Sequence, residues 1–179
     1  MRPFESVADY EGMVDYFLGG GEAFLRGMGV DPAKLPTREA WLESALLDHA
    51  RPDAQKSRAY LAWLVAGKVV GHSSISRIRV GEDAYIHLHL WQGGERRRGL
   101  GRWFFLESAR EFGRSFGLKR LYCEPYAHNA APNRTLAGTG FRLVKQYRTS
   151  PGAIHFEQEL NLYVLEDPAQ LEQTPPPGP

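Results

Sequence analysis

Between Ala84 and Glu124 the chain alternates, turns on glycine, winds and then alternates again. That order restricts its fold more than any other feature. Ala84-Tyr85-Ile86-His87-Leu88-His89-Leu90-Trp91 reads as a strand, with Tyr85, His87, His89 and Trp91 on one face. Glu95-Arg96-Arg97-Arg98-Gly99-Leu100-Gly101-Arg102 is a basic turn with two glycines, running straight into a helix from about Leu100 to Phe116. Phe105, Ala109, Phe112 and Phe116 form the apolar stripe of that helix, with Glu107, Arg110, Glu111 and Arg114 expected to face out. Gly117 is a natural residue to end it, and Leu118 to Glu124 reads as a second strand. A strand–helix–strand unit needs a crossover, so these two strands are expected to run parallel.

The remaining segments set the frame around that unit. Ser6 with Asp9 opens a first helix whose apolar face is Tyr10, Met13, Val14, Phe17 and Leu18, and Gly19-Gly20-Gly21 stops it. Glu22 to Met28 forms a second helix, and Thr37 caps a third carrying Trp41, Leu42, Ala45 and Leu46. From Tyr60 the period falls to two. Tyr60 to Val65 and Val69 to Arg79 form a hairpin around Ala66-Gly67-Lys68. Pro132 to Ala137 is a short helix, and Phe141 to Thr149 and Ile154 to Leu165 are two further strands. The fold class is therefore a mixed α/β (α+β) sandwich, a mostly antiparallel sheet with one parallel pair, flanked by helices. Residues 1–167 are expected to form one domain, and 168–179, with five prolines, a disordered tail.

Charge narrows the function. The formal net charge of +1 over 179 residues argues against a general nucleic-acid binder. Residues 94–120 nevertheless carry eight Arg and Lys against three Glu, whereas residues 1–60 carry ten acids against seven bases. The basic cluster surrounds the glycine turn. It reads as an anion site rather than a solvated turn or a nucleic-acid patch, because a helix N-terminus presents free N–H groups and partial positive charge to phosphate. One cysteine, Cys123, permits no intrachain disulfide and suits a reducing, cytoplasmic setting. The chain shows no signal-peptide pattern, no membrane-length apolar run and no internal repeat.

The turn Arg96-Arg97-Arg98-Gly99-Leu100-Gly101 resembles the Gln/Arg-x-x-Gly-x-Gly/Ala motif of the GCN5-related N-acetyltransferase (GNAT) superfamily. A second feature of that family, an Asn followed by a short helix and Gly-Phe, is matched by Asn129, Pro132 to Ala137 and Gly140-Phe141. The resemblance covers about residues 60–165 and implies an enzyme that moves an acetyl group from acetyl-CoA to an amine of a small molecule or protein. It implies that Gly99, Leu100, Gly101 and Arg102, with Arg96 to Arg98, hold the pyrophosphate. It further implies that the pantetheine arm enters between two splayed strands and pairs with Leu90 and Trp91, and that Asn129 and Asn133 contact the cofactor. A backbone N–H at that strand end would polarise the thioester carbonyl. Relatives often take the thiolate's proton from a Tyr seven residues after the Asn. Here that position is Leu136, which leaves Tyr126, Thr135 or a water for the role. No metal, nucleic-acid or membrane partner is implied, and many relatives pair as homodimers.

Direct attack by an amine needs its neutral form, only about 0.1% of an alkyl amine at neutral pH, a cost of roughly 4 kcal/mol. The base candidates are His87, His89 and Glu124. The plain alternatives are two satisfied structural imidazoles and a carboxylate that merely ends its strand. His87-x-His89 as a metal pair lacks a clear third ligand. Cys123 reads as a small core residue and Asn133 as an early helix residue. A non-catalytic acyl-CoA sensor on the same scaffold is the rival reading, favoured by Leu136; a dinucleotide-binding domain is disfavoured because Gly-x-Gly-x-x-Gly and repeated βα units are missing.

Overall fold

The computed structural model describes residues 1–91, 99–173 and 175. Seven strands form one sheet in the order β1-β2-β3-β4-β5-β7-β6, with β1 Arg2–Pro3, β2 Arg58–Val65, β3 Lys68–Arg79, β4 Asp83–Leu90, β5 Arg120–Cys123, β6 Arg142–Thr149 and β7 Gln158–Glu166. Only β4 and β5 run parallel, as the strand–helix–strand unit demands. Every other pairing is antiparallel. Helices α1 Val7–Leu18, α2 Glu22–Gly27 and α3 Arg38–His49 precede β2; α4 Leu100–Ser115 links β4 to β5, and α5 Ala130–Ala137 links β5 to β6.

Local chemistry accounts for the boundaries. The Asp9 carboxylate accepts the backbone N–H groups of Glu5 and Ser6 and is clamped by both terminal nitrogens of Arg2 at 2.8 Å, so α1 starts on satisfied donors. Thr37 caps α3 by accepting the N–H of Ala40. Ala66 and Gly67 both take positive φ, the two-residue turn whose twist suits a hairpin, and Val65 pairs with Lys68 across it.

Strand alternation then sorts the two faces. Ala84, Ile86, Leu121 and Cys123 turn to α4 and pack with Phe105, Ala109, Phe112, Phe141 and Leu136. Phe4, Tyr10, Met13, Val14, Phe17 and Ala62 build a second core between the other face and α1, with Trp41, Leu42 and Leu46 of α3 against it. Each fully buried large apolar side chain contributes about 1.5–3 kcal/mol by leaving water.

Three expectations differ from what is observed. Glu107, expected to face solvent, is buried on α4 and ion-paired with Arg110 one turn on; the apolar stripe is wide enough to enclose it. Residues 154–157, read as strand, instead cross to the loop after α2, where Asp31 N–H donates to the Ile154 carbonyl at 2.8 Å and Lys34 Nζ to that of His155. Residues 168–170, assigned to the tail, form a 3-10 turn against α4; Pro168 and Ala169 sit so close to Gly113 that a Cβ there would lie 2.6 Å from the Ala169 nitrogen. Among the described residues, no helix is long and apolar enough to cross a membrane.

Candidate active site

The site begins where β4 and β5 part. They pair only from Asp83–Arg120 to Tyr85–Tyr122. The closed end is pinned: Asp83, almost fully buried, takes the guanidinium of Arg79 from β3 and lies 3.8 Å from that of Arg120 on β5. Beyond Tyr85, β4 stays with β3 as far as Leu90. The chain after Cys123 follows β7 instead: the Pro125 carbonyl accepts Asn161 N–H at 3.1 Å, and Ala127 N–H donates to Glu159 at 2.9 Å. Two strands that must each follow a different neighbour diverge and leave a wedge between them.

The wedge exposes backbone. Trp91 N–H donates to the Val70 carbonyl at 2.9 Å, so in the antiparallel ladder residues 85, 87, 89 and 91 bond towards β3. The peptide groups of Ile86, Leu88 and Leu90 therefore face the gap, beyond the last β5 pairing. The Leu90 peptide group has no strand partner on the β5 side among the described residues. The Trp91 N–H is already committed to β3.

At the mouth of the wedge Gly99 takes φ +73°, a left-handed conformation that favours glycine, and α4 starts at the next residue. The first turn of α4 holds no acidic residue, and among the described residues a Cβ on Gly101 would meet nothing within 4 Å. A helix N-terminus opened by glycines suits a phosphate. Arg102 reaches the other way, donating to the Gly138 carbonyl at the end of α5. Arg96, Arg97 and Arg98 lie outside the described residues.

The face of β4 opposite α4 carries the imidazoles. His72 of β3 is buried and stacks on His89 at 4.9 Å. The Trp91 indole N–H donates to His72 Nδ1 at 2.8 Å. An indole only donates, so that nitrogen must be unprotonated and the neutral ring carries its proton on Nε2. Tyr16 and Phe17 of α1 meet the His89 ring edge-on at 5.6 and 4.9 Å. Burial, then the nearby His155 and Arg58, push His89 down to about 4. His72 is held well below its ordinary value by burial and by His89. His87 reaches solvent and bonds Ser76 Oγ through Nε2 at 2.9 Å; the protein walls around it and His89 lower its pKa too. The stretch 154–157 closes over this face, and burial likewise lowers His155.

Glu124 shares that face but is fully engaged. Its buried carboxylate accepts the Tyr147 hydroxyl and, at 3.3 Å, an Arg77 N–H. Arg77 also lies over the Tyr85 ring at 4.5 Å and donates to the Pro151 carbonyl at 2.8 Å. It sits at a register shift of β3 with φ +50°. Glu124 thus ties β5 to β6 and to the loop after it. Sequence reading missed Arg77 and Tyr147, which lie 47 and 23 residues from Glu124 with no shared motif.

The second motif divides similarly. Asn133 is spent internally: Nδ2 donates to the carbonyls of Tyr126 and Asn129, and Oδ1 accepts from Asn161 and Tyr163 of β7. It holds the arm that departs with β7. Asn129, half-buried at the start of α5, makes no side-chain hydrogen bond among the described residues. Leu136 is wholly buried, and the Thr135 hydroxyl donates to its own helix at Ala131. Burial pushes the Cys123 thiol up to about 12, consistent with a core residue. Among the described residues, no group of three or more side chains could hold a metal ion.

Residues 31–141 match the sequence profile described as the acetyltransferase (GNAT) family. No curated protein sequence matches the chain. Solved structures share its fold at low identity. The ribosomal L7/L12 alpha-N-protein acetyltransferase RimL, solved with coenzyme A, superposes with a TM-score of 0.74 at 15% identity, covering 94% of both chains. Spermidine N-acetyltransferase of Vibrio cholerae, solved with CoA and spermine, gives 0.74 at 11%, covering 93% of this chain and 94% of its own. The microcin C7 self-immunity acetyltransferase MccE, solved with acetyl-CoA and AMP, gives 0.70 at 18%, covering 90% and 88%.

Proposed function

This chain belongs to the GNAT acetyltransferase family and is an acyl-CoA-dependent N-acetyltransferase, and from its geometry we propose where each part of the reaction takes place. The observation that carries the proposal is the wedge: a parallel pair that ends at Tyr85–Tyr122 and leaves the Leu88 and Leu90 peptide groups with no strand partner on that side among the described residues. The donor supplies an activated acyl carbonyl; the rest is the work of this chain.

The N–H groups at the start of α4 hold the pyrophosphate end of acetyl-CoA, and the Asn129 amide meets its arm. Leu90 offers its peptide edge to the pantetheine, as a neighbouring strand would. The Leu88 N–H faces the same gap and is placed to take the negative charge that develops on the carbonyl oxygen, where one preorganised donor is worth about 2.7–4 kcal/mol.

The amine arrives on the imidazole face. Glu124 is held by Arg77 and Tyr147, so it positions the strand rather than removing a proton. His89 makes no side-chain hydrogen bond among the described residues, and its depressed pKa keeps it neutral and able to accept a proton at pH 7. We assign it as the base, with His87 lining the approach. A weak base suffices where the site also desolvates the ammonium and orients the attack, a contribution on the order of 7–11 kcal/mol in the best cases. Of the hydroxyls near the second motif, Tyr126 makes no side-chain hydrogen bond among the described residues and is assigned to protonate the departing thiolate.

Thiol release from acetyl-CoA, measured against a panel of primary amines and peptides, tests the reading. Amine-dependent release that falls when His89 is replaced supports it. Acetyl-CoA binding without release on any acceptor overturns catalysis and leaves only a binding module.

A further inference from the structure

Strict alternation along β3 would turn Arg77 towards α4, and the chain departs from it. His72, Ser74 and Ser76 pair with His89, His87 and Tyr85, so these residues share the imidazole face, while Ile75 turns into the α4 core. Residue 77 is due on the α4 side. Instead the register shifts after Ser76, Arg77 takes φ +50°, and Ile78 packs against the α4 core. An irregularity of this kind re-aims one side chain. A β-carbon penalises that φ, and a backbone held there against its preference points to a use for what it carries.

The re-aimed guanidinium spans two segments. One terminal nitrogen donates to Glu124 at 3.3 Å, the other to the Pro151 carbonyl at 2.8 Å. Pro151 lies near the start of residues 150–157, a strap that leaves β6 and returns as β7. On its way Ile154 packs with the α1-side core, and the charge of His155 acts on His87 and His89. The far end of the strap is fastened several times over. Asp31 N–H donates to the Ile154 carbonyl, Val30 bridges to His155, Lys34 Nζ donates to the His155 carbonyl and Gln158 Nε2 to that of Gly29. Among the described residues, the Arg77 bond is the one hydrogen bond that ties residues 150–153 to another segment.

We propose that Arg77 is a positioning residue for the transfer reaction: it holds the strap over the imidazole face and so sets how closely an amine brought to His89 is enclosed. This role rests on the acetyl-transfer reading, whereas the seating of the strap is measured without it. The strap shares in the burial of His89 and contributes His155; Arg58 of β2 adds a further positive charge. The other titratable groups facing His89 are His72, stacked on it from β3, His87 on its own strand and Tyr16 on α1. Loosening the strap therefore moves the His89 midpoint from about 4 towards its ordinary value.

The test compares the wild type with Glu124→Gln and with Glu124→Gln combined with Arg77→Gly. Glycine takes this φ freely, and the paired change leaves no buried carboxylate without its cation. Two readouts need no catalysis: the NMR titration of the His89 ring and the solvent exchange of the Asp31 N–H. Glu124→Gln, which keeps the Pro151 bond, should leave both at wild-type values. Adding Arg77→Gly should raise the His89 midpoint by about one pH unit and speed Asp31 exchange about tenfold, as when a locally opening segment loses a tether. Should that chain not fold, Arg77→Lys keeps a cation beside Glu124 without the fork and should give the same shifts at reduced size. With 1-aminobutane as acceptor, the amine KM should rise about fivefold in the double variant, with the acetyl-CoA KM within about twofold. Unmoved His89 and Asp31, or equal shifts in Glu124→Gln alone, overturn the role of Arg77. Both shifts with no thiol release on any amine would uphold the strap and sink acetyl transfer; amine-dependent release with neither shift would do the reverse.

Discussion

The two faces of β4 are built from one stretch of eight residues yet handle polar atoms in opposite ways. Towards α4 it presents Ala84 and Ile86, neither of them exposed, and the polar groups nearby close on one another: the Trp63 indole donates to Ser73 and Ser108, and Ser73 to Ser108 at 2.7 Å. Towards α1 it presents Tyr85, His87 and His89, where His72 is satisfied by Trp91 but His89 makes no side-chain hydrogen bond among the described residues. A buried polar group normally finds its partner within the fold. On the reading proposed above, the α4 face carries stability and the α1 face chemistry, a division that substitutions can break or sharpen.

The largest effect belongs on the α4 face. Phe105→Ala, at a ring with no exposure, should cost about 3–5 kcal/mol in denaturant unfolding, while kcat of the folded fraction stays near its original value. A loss below about 1 kcal/mol would mean that this face does not hold the fold. His89→Gln should do the opposite: kcat falls about 100-fold with acetyl-CoA affinity and unfolding midpoint little changed, as for removal of a general base. Parallel losses of affinity and stability would return His89 to a structural role.

Gly101→Val probes the mouth of the wedge. An added side chain there meets nothing among the described residues, so stability should hold while cofactor affinity by calorimetry drops about thirtyfold, equivalent to about 2 kcal/mol of charged hydrogen bonding. Unchanged affinity would move the phosphate elsewhere. The smallest effect is on pH. His72 titrates below its ordinary value in the fold but near 6.5 when unfolded, so below 6.5 the unfolded state binds the extra proton. The His72 share of stability should be fully present above pH 6.5 and fall by up to about 1.4 kcal/mol per pH unit below it, on top of the shares of the lowered His87, His89 and His155, and His72→Gln should remove that share and make the slope shallower. A wild-type profile that is flat between pH 7 and 5.5 would contradict the buried, neutral imidazole.

Much of this could be read in advance. Alternation along Ala84 to Trp91 put His87 and His89 on one face and the apolar residues on the other, and the order strand, glycine turn, helix, strand required the parallel pair that ends in the wedge. The glycine turn and the Asn129 to Gly-Phe141 spacing together identified the family. What misled were polar residues judged singly. Glu107 looked exposed because one turn of a helix does not show how broad its buried face will be. Asn133 looked like a cofactor contact because its partners Asn161 and Tyr163 lie 28 and 30 residues away.

The amino-acid order by itself determined the strand–turn–helix–strand unit, its parallel pair, the left-handed glycine before α4 and which β4 residues share a face. These follow from backbone geometry over a few neighbouring residues. Only the tertiary structure decided which polar groups remain free to act. Glu124 is consumed by Arg77 and Tyr147, His72 by Trp91, and a ring-lined groove forms where Gly12 lets the Trp91 indole approach α1. Hydrogen-bond and packing partners come from whichever segments the sheet brings together, and distance along the chain carries no record of that.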